Sequence, residues 1–330
     1  MENLPIATLF SKVSLYLNDT LVEGSHSLYP YKAMLLTMLQ YSEPAKSKQL
    51  RAWGYTSDDT RKALMQRDDT TLEFTGPLFL DFFLQPQLLI PSVDVRIQFT
   101  RNQLETFFMR TLVGQTWKLS LESALLKVKK VQVNKSIYQA HSLGILRQNA
   151  LYPLRRTLLV SHTVAQGIKS YSIDNLFRGH SPKAIVTLMV KDTAATSMLA
   201  DPFTFEPFAL NYFALSQDGV ILPNNRAFTP DFVSNLCMQE YASLFQALQL
   251  FTQNQTIDVT FDEFCTTKCI FITNLCLDLD LELTQIQKSS NLRLEMKFAQ
   301  ALAQNINIIM MAICDDVLEI DKNLRVLSNF

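Results

Sequence analysis

Acidic residues alternating with leucine are the strongest suggestion of acid–base chemistry in this sequence. Across residues 275–283 every odd position is Leu, and Asp278, Asp280 and Glu282 fall between them. On a strand such residues share one face at about 7 Å spacing, within the separation of about 6.5–9.5 Å between the carboxyls of inverting glycoside hydrolases. A solvated strand face rich in acids gives the same pattern and is the preferred reading. Cys265 and Cys269 in CTTKC, with Cys276 nearby, offer thiolates, but structural zinc takes four ligands and no histidine lies close. They read as small buried thiols. His26, His141, His162 and His180 lie in turns or polar stretches, Ser161-His162 is merely an adjacent pair, and no G-x-S-x-G elbow accompanies them. With eight glycines and neither G-x-G-x-x-G nor a P-loop, nothing in the sequence cradles a nucleotide.

Basic clusters at Lys127, Lys129, Lys130 and Lys135, and at Arg155 and Arg156, lack interleaved aromatics. They suit weak, salt-sensitive phosphate contact or a solvated strand end, with the second preferred. Asp315, Asp316, Glu319 and Asp321 lack the glycine-turned spacing of a calcium loop and read as surface. The expectation is therefore no catalytic, cofactor-binding or metal-ligating residue, and no enzyme.

The elements that would carry these residues belong to a globular chain. Its 330 residues exceed what one core usually organises, so two domains are expected. Hydrophobic residues at 48% and charged residues at 18% supply a sizeable core, and a net charge of -1 exerts no global pull on polyanions. MENLPIATLFSKVSLYL does not read as a signal peptide. The longest apolar run, INIIMMAIC at 306–314, falls short of the roughly 20 residues of a membrane span. Five irregularly spaced cysteines, Cys237 and Cys314 included, suit reduced thiols in an intracellular compartment, which makes the sequons at Asn18, Asn134 and Asn254 accidental.

Strict alternation marks strands at Val93, Val95, Ile97 and Phe99, at Leu292, Leu294, Met296 and Phe298, and over 275–283. One wet face per sheet is expected, as in antiparallel sandwiches. Helical spacing appears at Tyr31, Met34, Leu35, Met38 and Leu39, and at Val233, Leu236, Cys237, Tyr241, Leu244, Phe245 and Leu248. Pro30 and Pro230 stand at the starts of these two lids, with Thr229 as N-cap of the second.

The order recurs. LYLNDTLVEGSHSLYPYKAMLLTML at 15–39 gives strand, polar turn, strand, proline and helix, and 211–248 gives the same order about 200 residues later. FTGPLFLDFFL at 74–84 answers CIFITNLCLDLDL at 269–281, SVDVRIQF answers NLRLEMKF, and LESALLKVKKVQV at 121–133 answers NINIIMMAICDDVLEI. The chain reads as two tandem copies of one β-rich unit. Ahead of its hairpin the second copy has two further strand candidates, in 151–177 and 182–192, while the first copy has only MENLPIA. Two strands are thus expected to be absent from the first unit, leaving sheet edges that another chain or a longer sequence would cover.

TLFSKVSLYLNDTLVEGSHSLYPYKAMLLTMLQYSEPAKSKQLRAWGY, SYSIDNLFRGHSPKAIVTLMV, DPFTFEPFALNYFALSQDGVILP and NLRLEMKFAQALAQNINIIMMAICDDVLEIDKN together carry a resemblance. They resemble the double jelly-roll major capsid proteins of Polinton (Maverick) elements and adintovirus-like viruses, which also occur as integrated copies in animal genomes. The likeness covers nearly the whole chain, in order, and is strongest at YPYKA and SIDNLFRGHSPK. Family members carry further strands ahead of the segment matching TLFSKVSLYL.

The resemblance implies an all-β fold of two tandem jelly-roll sandwiches, 1–150 (N-terminally truncated) and 151–330, with short helices in the long connections. It also implies a homotrimer of pseudo-hexagonal outline that tiles an icosahedral shell around double-stranded DNA, or an integrated remnant of such a subunit. Implied partners are further copies of the chain, a minor capsid or penton protein, and packaged DNA in weak non-specific contact. Implied locations are the virion capsid and, before assembly, the host cytoplasm or nucleus. Loops 41–73 and 191–210 would carry subunit contacts and outer towers. The rival readings are a host-domesticated interaction protein of the same fold and a carbohydrate-binding or carbohydrate-active β-sandwich. The last needs an aromatic platform beside paired acids, and neither Trp53 nor Trp117 is near Asp278 or Asp280 in sequence.

Overall fold

The computed structural model describes residues 3–24, 26–56, 71–102, 120–178, 180–195, 197, 200–223, 225–250, 256–275 and 291–327. The stretch 275–283 with Cys276, Asp278, Asp280 and Glu282, together with Trp117 and Asn254, lies outside them apart from Leu275.

Phe10–Leu17 (β1) and Thr20–Glu23 (β2) form a hairpin because Asn18 and Asp19 take positive φ, 45° and 63°, the two-residue turn whose twist matches that of the strands. Gly24 follows at φ 102°, where a Cβ would stand 2.3 Å from the Val13 carbonyl oxygen, so the strand end requires glycine. Val95–Arg101 (β3) pairs with the other edge of β1, giving a three-stranded sheet in the order β2-β1-β3.

The chain continues through Ala150–Val164 (β4), Ser170–Ile173 (β5), Ala184–Lys191 (β6), Leu210–Gln217 (β7), Val220–Leu222 (β8), Ile270–Asn274 (β9), Leu292–Phe298 (β10), Ile306–Ile320 (β11) and Val326–Leu327 (β12). One sheet runs β5-β10-β7-β8, and the other runs β4-β11-β6-β9, with β12 beside the far end of β11. Apart from the β7–β8 hairpin and the β11–β12 pair, successive strands cross between the two sheets in jelly-roll fashion, and every named strand pair is antiparallel. α-Helices among the described residues are Pro5–Thr8 (α1), Tyr29–Gln40 (α2), Glu43–Ser47 (α3), Asp81–Leu84 (α4), Lys135–Arg147 (α5), Met238–Ala247 (α6) and Phe261–Thr266 (α7), with 3-10 turns at Gln49–Trp53 and Asp192–Ala195.

The duplication read from the sequence reaches atomic detail. Asp218 and Gly219, φ 50° and 87°, join β7 to β8 as Asn18 and Asp19 join β1 to β2. Each first turn residue also clamps the residue before the next strand of its sheet. Asn18 N donates to the Asp94 carbonyl (3.0 Å) and its Oδ1 accepts from Asp94 N (2.8 Å). Asp218 N donates to the Asn291 carbonyl (3.0 Å) and its Oδ1 accepts from Asn291 N (2.9 Å).

The copies differ in what covers them. Ahead of β7 the chain supplies β4, β5 and β6, one strand more than the sequence pattern suggested; ahead of β1 the described residues supply only α1. Consequently 74–84 does not form the counterpart of β9: it is irregular up to α4. Residues 121–133 do not form the counterpart of β11 either, and lie exposed and outside every sheet. A strand is stable only when its backbone groups find partners. β11 is paired by β4 and β6, β9 by β6, and the first copy offers no equivalents among the described residues.

Two further expectations need correction. The β4-β11-β6-β9 sheet has no wet face over its centre. In β6, Ile185 and Met189 enter the sandwich interior while Val186, Leu188 and Val190 join a second core on the other side. That second core contains β1, α2, α6 and α7, so α2 is buried on all sides from Tyr29 to Met38 rather than along one stripe. The later helix begins at Met238, not at Pro230. Thr229 does not cap it, its N–H going instead to Glu240 Oε1 (3.2 Å), and Asp231 Oδ1 organises an intervening turn that leaves Val233 and Leu236 exposed. The sharpest helix start belongs to α7, where Thr260 and Glu263 form a reciprocal capping box.

Equivalent positions in the two copies therefore carry different weight. Leu292, which follows the clamped Asn291 on β10, is 1% exposed beneath the second sheet, whereas Val95, which follows the clamped Asp94 on β3, is 46% exposed. In urea unfolding Leu292→Ala should cost about 2–5 kcal/mol, and Val95→Ala should stay within about 0.5 kcal/mol.

Candidate functional site

The structure scatters most of the residues that could do chemistry. His141 on α5 and Glu319 on β11 share an open groove of about 900 Å³. His162 lies on β4 with its pKa lowered by burial, and Ser161 precedes it on the same strand. His180 follows a turn in which its N–H meets the Phe177 carbonyl. Lys127, Lys129, Lys130 and Lys135 are exposed. Trp53 is no open platform: its ring packs edge-on to Tyr41 (5.4 Å) and Phe79 (5.9 Å). Asn18 holds the β1–β2 turn and donates to the Leu324 carbonyl (2.6 Å), and Asn134 is the N-cap of α5.

Two clusters expected at the surface each turn one residue into the interior, Arg156 from the first and Asp316 from the second. Arg155 is exposed, but Arg156, on the alternate face of β4, is buried and meets Asp316 Oδ2 through both Nε and a terminal nitrogen at 2.6 Å. Asp316 is correspondingly buried, Asp315 pairs with Lys183 (2.5 Å), Glu319 accepts from Asn149 (2.9 Å), and Asp321 Oδ1 accepts from two backbone N–H groups. The reason is reach. β4 and β11 are 15 residues long, about 50 Å at strand rise, so their ends project past the sandwich and lie against the N-terminal sheet.

The principal polar site forms where those ends meet β2, α2 and α4. Lys32 Nζ lies 2.5 Å from Glu23 Oε1 and 2.7 Å from Asp81 Oδ1. Glu23 Oε2 accepts from Asp81 N (2.7 Å), and Asp81 accepts from Thr157 N (2.7 Å) and Thr157 Oγ1 (2.9 Å). Arg156 adds a bond to the Val22 carbonyl (2.6 Å). A cavity of about 220 Å³ adjoins the cluster, lined in part by Glu23, His26, Lys32 and Arg156. Burial, then Lys12 and Arg178, lower the His26 pKa. Because both cations are held by carboxylates, the chemistry available here is cross-linking of strands. Sequence reasoning missed Glu23, Lys32, Asp81 and Thr157. The usable signal was a lone charge inside an apolar run, Lys32 in YPYKAMLLTML and Asp81 in PLFLDFFL, because a buried charge needs a partner.

Burial pushes the Glu23 carboxyl up, Lys32 pulls it down and Asp81 pushes it up again, leaving a raised pKa. Burial also disfavours the Lys32 ammonium, but Glu23 and then Asp81 outweigh it and hold that pKa above its ordinary value. A raised folded-state pKa contributes stability that is full below the unfolded value and fades as pH rises through the folded one. For Glu23 the fading begins above 4.5. Glu23→Gln should therefore flatten the loss of melting temperature from about pH 5 upward. Lys32→Met, which leaves two carboxylates facing each other, should cost about 3–5 kcal/mol in urea unfolding.

Cys265 on α7 and Cys269 before β9 are buried, with Cys265 Sγ 3.0 Å from Cys237 Sγ. Among the described residues no group of His, Cys, Asp or Glu could hold a metal ion. Burial pushes the thiols of Cys237 and Cys314 up to about 12 and that of Cys269 well above its ordinary value. At neutral pH iodoacetamide should label these three only after denaturant opens the fold; prompt native labelling in peptide maps would contradict the burial. No helix among the described residues is long and apolar enough to cross a membrane.

No family model matches the chain, and neither does any curated protein. Among solved structures it is similar to the capsid of the virus PBCV-1 in a quasi-atomic model, with a TM-score of 0.53 at 10% identity over 99% of this chain and 85% of that one. It is similar also to PBCV-1 VP54 as fitted into a reconstruction of the virophage Sputnik, with a TM-score of 0.52 at 11% identity over 99% and 85% of the two chains. At these identities the likeness shows the fold, a double jelly roll of antiparallel sheets.

Proposed function

We propose that this chain is a non-enzymatic structural subunit of a viral capsid, of the double jelly-roll major capsid class. The observation that carries the proposal is the similarity along 99% of the chain to PBCV-1 capsid structures. The internal duplication supports it, because two similar units in tandem let three chains present six roughly equivalent corners. In this reading 1–150 is the first jelly roll and 151–330 the second, and copies of the chain associate as pseudo-hexagonal trimers that tile a shell around double-stranded DNA. The resemblance quoted above favours a Polinton or adintovirus-like source, as an active subunit or an integrated remnant. A minor capsid or penton protein would fill the vertices, and packaged DNA would be met weakly and without base readout. The polypeptide would pass from the host cytoplasm or nucleus into the virion.

Mass in solution and negative-stain imaging of the purified chain test this reading. The expected result is a stable trimer of hexagonal outline. A folded monomer that stays monomeric as concentration rises would overturn it.

A further inference from the structure

Lys32, Asp81 and Glu23 hold an amine, a carboxyl and a proton acceptor together, away from bulk water. Their side chains are 6%, 3% and 10% exposed. Lys32 Nζ stands 2.7 Å from Asp81 Oδ1, which puts it within one C–O bond length of near-attack range, about 3–3.5 Å, of the carboxyl carbon. On its other side Nζ is 2.5 Å from Glu23 Oε1. Glu23 is fixed in turn by the backbone N–H groups of Asp81 and Phe82, which donate to Oε2 at 2.7 and 3.4 Å. One carboxylate is enough to neutralise one ammonium, and the second is free for another role.

Asp81 is also set up as an acceptor of a nucleophile. Thr157 N donates to Oδ2 at 2.7 Å, and Thr157 Oγ1 lies 2.9 Å from each carboxyl oxygen. Both donors are placed by β4, so they are held where negative charge develops when a nitrogen adds to the carboxyl carbon.

We propose that Lys32 and Asp81 condense to an amide, a side-chain cross-link between α2 and α4 made by the folded chain itself, with Glu23 as the proton carrier. Glu23 Oε1 takes one proton from the ammonium. The free amine adds to Asp81 Cγ, and Thr157 holds the charge that develops on Oδ2. A second proton leaves the nitrogen, the Cγ–Oδ1 bond breaks, and Oδ1 departs as water with both protons, one of them returned by Glu23. Ammonium and carboxylate become amide and water, and no oxidant, reductant or cofactor is consumed. The adjoining cavity of about 220 Å³ has room for the released water. The driving force is the removal of an ammonium and a carboxylate from the interior, where holding them is costly. Lys32 is an ammonium at rest, so the step is slow and occurs once per chain; the ion pair described above is its reactant state. This goes beyond the capsid reading and stands without it.

Intact-mass measurement of the full chain, aged at mildly alkaline pH and then denatured, tests the condensation. The expected result is a mass one water below that of the sequence, with two tryptic peptides joined through Lys32 and Asp81 and no cleavage after Lys32. Glu23→Gln should slow the conversion about 100-fold or more, and Asp81→Ala should abolish it. The mass of the parent chain decides the matter even where a variant does not fold. A folded parent that keeps its full mass would overturn the proposal. So would a water loss that maps elsewhere, such as a succinimide at Asp218-Gly219, or a Glu23→Gln chain that converts as fast as the parent.

Discussion

The β4-β11-β6-β9 sheet cannot show either face to water over its centre, and the rest of the molecule is arranged around that constraint. Ile306, Ile308 and Met310 of β11 close the sandwich, while Ile309 and Met311 point the other way into the core shared with β1 and α2. A sheet so apolar on both sides calls for two covers. One is the β5-β10-β7-β8 sheet; the other is assembled from the N-terminal hairpin, the wholly buried α2, and α6 and α7, which precede β9 in the chain. The N-terminal part of the chain thus acts as the second cover for a sheet made by the C-terminal part, and this is why α2 has no polar face.

The charged cluster suits that role. Apolar surfaces alone do not fix how one layer sits on another, because hydrophobic contact is non-directional. Lys32 between Glu23 and Asp81, and Arg156 between Asp316 and the Val22 carbonyl, supply the directional contacts. They lie where β4 leaves its own sandwich, and the bonds from Arg156 to the Val22 carbonyl and from Thr157 to Asp81 join that strand to the N-terminal layer.

Much of the fold was legible in the sequence. The two hairpins and the alternation of β10 could be read because each depends on residues close together in the chain. What stayed hidden depends on partners far apart. Arg156 reaches Val22 across 134 positions and Asp316 across 160, and no local pattern marks which charge will be enclosed. Residues 121–133 have the composition of a strand, but being a strand also requires neighbours, and composition cannot supply them. The helix expected at Pro230 failed for a similar reason: Asp231 captures the backbone N–H groups of Val233 and Ser234, and the turn wins over the helical period.

The length of β4 and β11 also has a mechanical meaning. Their backbone hydrogen bonds run perpendicular to the strands, so sliding one strand along the other loads all 15 residue pairs together, whereas peeling from an end breaks them in turn. Because this ribbon continues from the C-terminal sandwich onto the N-terminal sheet, tension along its axis meets a stiff tie and leverage across it meets a zipper. The molecule is therefore anisotropic, resisting stretch along one direction far better than bending about another.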